Sequence, residues 1–115
     1  MGLLSLISPP APKRVPRPAD RAALAAHNRE MGIAALTLAD TVRELNDRGL
    51  QVVSIAAQAI GLPTVRVSPC RLLDGMVQRD EAVFYRFGTD EHGVPFREGQ
   101  FQLKGVRVVW QESGQ

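Results

Sequence analysis

The chain has 115 residues, of which 44% are apolar and 23% charged, with one cysteine and a formal net charge of +2. Those proportions fit one small globular domain. They exclude a collagen-like chain, a coiled coil, a disulfide scaffold, a membrane span and wholesale disorder.

Charge is concentrated at the start. Residues 1–21 carry four basic groups, Lys13, Arg14, Arg17 and Arg21, against one acid, Asp20. The remaining residues carry ten basic and eleven acidic groups and are close to neutral. A cationic segment on a neutral body attracts phosphate or an acidic protein surface over about one Debye length, ~8 Å at physiological salt. It also serves simply to keep a chain in solution. Twelve of the fourteen basic groups are arginine, suited to bidentate phosphate contacts. A GC-rich coding sequence produces the same bias. The apolar run from Leu3 to Ile7 is too short for a signal-peptide core. With Cys70 as the lone cysteine, a cytoplasmic location is expected.

Between residues 8 and 18 there are five prolines, which forbid helix and favour extended backbone. This predicts a proline-rich, basic, flexible tail over 1–18. One α+β domain follows over 19–111, with a flexible C-terminus at 112–115. Asp20 can cap a helix over 21–31, with Leu24, His27 and Met31 on one stripe and Gly32 as its stop. His27 reads as a residue at the core boundary. A second helix is predicted over 38–48, started by a variant capping box of Thr37 and Asp40. Gly49 is its left-handed stop, with Leu50 folding back in a Schellman motif.

Residues 50–56 read as a strand and Thr64–Val67 as its antiparallel return. Ser68-Pro69 opens a short helical turn over 70–74, ended by Gly75. Val83–Phe87, Phe101–Leu103 and Val106–Trp110 are further strands, the last two split by Lys104-Gly105. The order predicts an α+β fold: two N-terminal helices, then an antiparallel sheet of four to five strands with the helices packed on one face.

Alternation along these strands yields the main functional expectation. With Val65 and Val67 inward, Arg66 faces out. With Val83, Tyr85 and Phe87 inward, Phe84 and Arg86 face out. With Val106, Val108 and Trp110 inward, Arg107 faces out. Three arginines would then decorate one sheet face, with Phe84 among them and Lys104 nearby. Cations around an aromatic ring on an open sheet suit single-stranded nucleic acid: phosphates meet charge and bases meet a π face. The competing reading is a solvated face with arginine as ordinary polar filler. All six aromatics lie between residues 84 and 110, as a cross-strand core or as a recognition patch.

No catalytic motif is present. His92 sits in a polar turn beside Asp90 and Glu91, and no second histidine or cysteine completes a metal site. No cofactor, metal or enzymatic activity is expected. Apolar strands such as 50–56 and 106–110 would also leave sheet edges able to pair, which allows a homodimer or strand addition to a protein partner.

The order of Arg48-Gly49-Leu50-Gln51-Val52-Val53, Gly61-Leu62-Pro63-Thr64-Val65-Arg66-Val67 and Gly105-Val106-Arg107-Val108-Val109-Trp110 resembles that of short orphan proteins of bacteriophages and prophages. The likeness covers residues 37–111. It implies a non-enzymatic binding protein, either a DNA-associated factor or an inhibitor of host machinery, and it transfers no site residue. The expected partner is nucleic acid, met by Lys13, Arg14, Arg17, Arg21, Arg66, Phe84, Arg86, Lys104 and Arg107. The alternative is a protein-interaction module working through a sheet edge or the aromatic patch.

Overall fold

The computed structural model describes residues 17–58 and 60–114. Lys13 and Arg14, and most of the proline-rich segment, lie outside the described residues.

Helix α1 spans Pro18–Asp47 as one element of 30 residues, about 45 Å at 1.5 Å per residue. The two helices expected here are therefore one. Gly32 does not stop it, because a single interior glycine costs only about 1 kcal/mol and the flanking alanines favour helix. The N-cap is Arg17 rather than Asp20, and Pro18 takes the first helical position, where its missing N–H and fixed φ are harmless. Asp20 lies in the first turn, favourably placed towards the helix dipole. Thr37 is interior and its hydroxyl donates to the Ile33 carbonyl at 2.9 Å, so it caps nothing.

The C-terminus follows the Schellman pattern. Gly49, at φ +83°, donates to the Asn46 carbonyl, and the Leu50 N–H reaches the Leu45 carbonyl at 2.9 Å. Leu45 and Leu50 both enter the core.

Five strands form one sheet in the order β1-β2-β5-β4-β3: β1 is Val52–Ala56, β2 Thr64–Val67, β3 Val83–Thr89, β4 Pro95–Leu103 and β5 Val106–Ser113. The sheet is mixed rather than antiparallel throughout, since β5 lies parallel to β2. Hairpins make β3, β4 and β5 a meander, and its third strand docks on β2. That arrangement requires a crossover between β2 and β3, because parallel strands cannot be joined by a tight turn. Helix α2, Arg71–Gln78, fills that crossover, running through Gly75 and beyond the single turn expected there. The β4–β5 hairpin turns on Lys104 (φ +54°) and Gly105 (φ +76°), the two left-handed residues that a two-residue loop demands.

Both helices pack on one face of the sheet. Leu38 and Leu45 of α1 and Leu73 and Met76 of α2 meet Val65, Val67, Val106, Val108, Phe101 and Trp110. Trp110 is fully buried. It lies across Gly99, its cross-strand partner, and meets Phe84 edge-on with ring centres 5.8 Å apart. No helix among the described residues is long and apolar enough to cross a membrane.

Candidate nucleic-acid interface

The face opposite the helices carries the arginines. Arg66 on β2 stands beside Val109 on β5, and Val109 beside Gln100 on β4. Arg107 lies opposite Gln102, and Arg86 on β3 lies opposite Glu98 on β4. Side-chain alternation thus brings Arg66, Arg86 and Arg107 to one surface from three strands.

Phe84 is not on that surface, contrary to the expected alternation. A register shift between Phe84 and Arg86 places one extra residue, Tyr85, in β3. The bulge turns both Tyr85 and Arg86 towards the open face and sends Phe84 into the helix side against Trp110. Val83 also faces outward, beside Gln100. Tyr85 therefore occupies the role expected of Phe84.

Two of the arginines, Arg66 and Arg86, converge on a carboxylate that strand alternation alone did not single out. Glu98 is buried, with its side chain 8% exposed, although no helix covers it. Its Oε2 accepts the Tyr85 hydroxyl at 2.7 Å and lies 3.7 Å from Arg86, while its Oε1 lies 3.9 Å from Arg66. A buried carboxylate is tolerable only with such cationic and hydrogen-bonding company. Arg107 donates through Nε to Gln100, and its guanidinium sits 4.7 Å above the Tyr85 ring. Arg86 lies 5.4 Å above the ring of Phe96, which itself covers Gly88. Val109, an aliphatic residue on the outer face, is buried beneath this layer. The alkyl stems of arginine can cover apolar surface while their heads stay wet.

Glu98 thus pairs with two of the three guanidinium groups, while Arg107 is held by Gln100 and Tyr85, and these four charged groups sum to +2. The side chains of Arg86 and Arg66 remain 62% and 39% exposed, and neither guanidinium is hydrogen-bonded within the described residues.

The other expected contributors lie elsewhere. Lys104 is held to Asp40 of α1 at 3.2 Å, away from the arginine face. Arg17 and Arg21 are exposed at the start of α1. His27 is exposed rather than at the core boundary. His92 sits in the expected turn, where Asp90 Oδ1 accepts the backbone N–H of His92 and of Val94. Among the described residues no cluster of His, Cys, Asp and Glu could hold a metal ion.

A second polar cluster lies on the helix side. Arg97 stacks 3.9 Å above the Phe84 ring and donates to Glu112, whose other oxygen accepts the Trp110 indole N–H at 2.9 Å. The cleft there, about 430 Å³, is also lined by Asp74. Two carboxylates face one guanidinium, so it does not attract anions.

Tyr85 is the only tyrosine, which makes its titration directly visible. Partial burial, then its hydrogen bond to Glu98, raise the phenol above the ordinary value of 10, while Arg107 opposes them. A raised folded-state pKa favours the neutral phenol, so the associated stability is present below pH ~10 and lost as pH rises through the folded value. Phenolate absorbance is expected to titrate later in the folded chain than in the same chain in denaturant. Coincident curves would contradict the placement of Tyr85 against Glu98.

These features define an α+β domain with a mixed five-stranded sheet, helices on one face and a cationic network on the other. The chain belongs to the family whose model, described as "Uncharacterised protein", matches residues 20–113. The match takes in Arg66, Arg86, Arg107 and Glu98, and begins beyond Lys13, Arg14 and Arg17. No curated protein and no solved structure matches the chain.

Proposed function

We propose that the protein is a non-enzymatic binding module of the cytoplasm that takes single-stranded nucleic acid on its open sheet face. The observation that carries this reading is the gathering of Arg66, Arg86 and Arg107 on one sheet face, where a single carboxylate, Glu98, pairs with the first two and Arg107 is held by Gln100 and the Tyr85 ring. Exposed N–H donors on Arg66 and Arg86 match phosphate oxygens in geometry and charge. The guanidinium planes of Arg107 and Arg86 are backed by Tyr85 and Phe96, and their outer surfaces offer stacking platforms to unpaired bases. A duplex hides its base faces and would use the charge alone. The basic residues 13–21 add phosphate contacts to those of the domain.

Titration of labelled single-stranded and duplex oligonucleotides at low and moderate salt tests this. Binding that favours the single strand and weakens steeply with salt is expected. Absence of binding at tens of micromolar would remove the nucleic-acid reading. Capture of a protein that resists salt would favour the alternative, a protein-interaction module. That alternative draws support from exposed apolar side chains such as Phe87 and Val83 along the β3 edge.

A further inference from the structure

Hydrogen-bonding capacity at the centre of the open sheet face is one-sided. An arginine side chain carries donors only, so the Gln100 amide must turn its oxygen to the Nε–H of Arg107, and its NH2 group turns away. The amide oxygen is thereby engaged by a cation, which competes with any donor on a ligand. Glu98, the carboxylate of this face, is taken in the same way. Its side chain is 8% exposed, accepts the Tyr85 hydroxyl and lies against Arg66 and Arg86. What this centre offers a ligand is therefore N–H groups, those of the three guanidiniums and of the Gln100 amide. Gln102 and Gln111 lie further along the same face, opposite Arg107 and Glu98, and are exposed. Each has a donor and an acceptor and suits any base.

We propose that this donor-rich centre reads the base as well as the backbone and selects guanine over adenine, an inference that rests on the single-stranded nucleic-acid reading above. Guanine presents two adjacent acceptors, O6 and N7, which a guanidinium meets with two parallel N–H groups. Adenine presents its N6 amino group beside N7, a donor next to an acceptor, and its matching side chain is an amide with oxygen and NH2 both available. Gln100 is the amide at this place, and Arg107 has taken its oxygen. An adenine amino group here would meet guanidinium and amide N–H groups, donor against donor, and lose its bonds to water without replacement. Arg107 is the reader. It is anchored on two sides, by Gln100 and by the Tyr85 ring 4.7 Å away, which fixes the plane of its remaining N–H groups. Gln100 is a positioning residue. Both purines carry the same phosphate and stack through the same ring system, so neither charge nor stacking makes the distinction.

Anisotropy titration of the full chain with labelled thymidine oligonucleotides, carrying guanine, hypoxanthine or adenine at the same spaced positions, tests the proposal. The guanine strand is expected to bind about tenfold more tightly than the adenine strand. The hypoxanthine strand, which keeps O6 and N7 and lacks the 2-amino group, should match guanine. In a Gln100→Leu variant, which leaves every cation in place, the ratio of guanine to adenine affinity should fall towards one while the salt dependence is unchanged. Unchanged Trp110 fluorescence verifies that the variant is folded, and the hypoxanthine comparison needs no variant. Equal affinity for the three strands overturns the proposal and leaves the single-strand reading intact, whereas absence of binding to all three overturns both. A guanine preference that hypoxanthine does not share also overturns it, because the edge read is then not O6 and N7. So does a preference that survives Gln100→Leu, because the reader is then not the arginine that Gln100 holds.

Discussion

Replacing Gly99 with alanine is expected to destabilise the domain by about 3 kcal/mol or more. A Cβ at Gly99 would lie 2.3 Å from Cζ2 of Trp110, well inside any permitted contact. Trp110 cannot yield, because it is fully buried and held by Phe84, Phe101 and the bond from its indole to Glu112. For a domain of this size each kcal/mol corresponds to roughly 4–8 °C, so the melting temperature should fall by more than ~12 °C. The single tryptophan reports directly on the packing. Gly49→Ala is the useful contrast. Nothing lies within 4 Å of its would-be Cβ, so only its positive φ is at stake, and the loss should be about 1 kcal/mol. Equal effects at the two positions would contradict the stacking of Trp110 on Gly99.

Removing Arg66 and Arg86 together is expected to cost stability even though both are substantially exposed. Glu98 would be left in place with its side chain 8% exposed and without either cation. A buried charge stripped of its partners costs on the order of 2 kcal/mol, while removal of the whole group can be nearly neutral. An Arg66→Gln, Arg86→Gln variant should therefore unfold at lower denaturant than the parent, and addition of Glu98→Gln should recover most of the loss. If the double variant is as stable as the parent, Glu98 does not depend on these arginines. If the third substitution makes matters worse, the carboxylate is held by Tyr85 and Gln neighbours instead.

The parts of the fold legible in the sequence were those governed by local rules. The Gly49 stop with its Leu50 return and the Lys104-Gly105 hairpin are set by positive-φ requirements within a few residues. Strand β2 alternates cleanly, and Arg66 faces outward as that alternation requires. What failed had two sources, local propensity that overrode a stop signal and partners distant in sequence. Gly32 reads as a helix stop, yet alanines on both sides carry α1 through it. The parallel contact of β2 and β5 is a docking event between a hairpin and a meander, and nothing in either strand announces it.

The bulge in β3 had the largest effect on the candidate site. Strict alternation keyed to Arg86 and Phe87 reverses Val83, Phe84 and Tyr85, because one inserted residue puts the two sides of the bulge out of step. Glu98 was within reach. Extending β4 backwards from Phe101 and Leu103 puts Gln102, Gln100 and Glu98 on the opposite face, the one that bears Arg107. Gly99 and the charged pair Arg97-Glu98 obscured that run as a strand.

The most direct test of the arginine face is the salt dependence of its binding to a single-stranded oligonucleotide. Arg66→Gln, Arg86→Gln and Arg107→Gln, combined with Glu98→Gln to protect the fold, remove three cations and one acid. Each lost phosphate contact lowers the slope of log K against log salt by ~0.7. A slope shallower by about two, with weaker binding at every salt concentration, is the expected result. A variant that binds with the affinity and slope of the parent would place the nucleic acid elsewhere on the chain and leave the arginine layer with only a structural role.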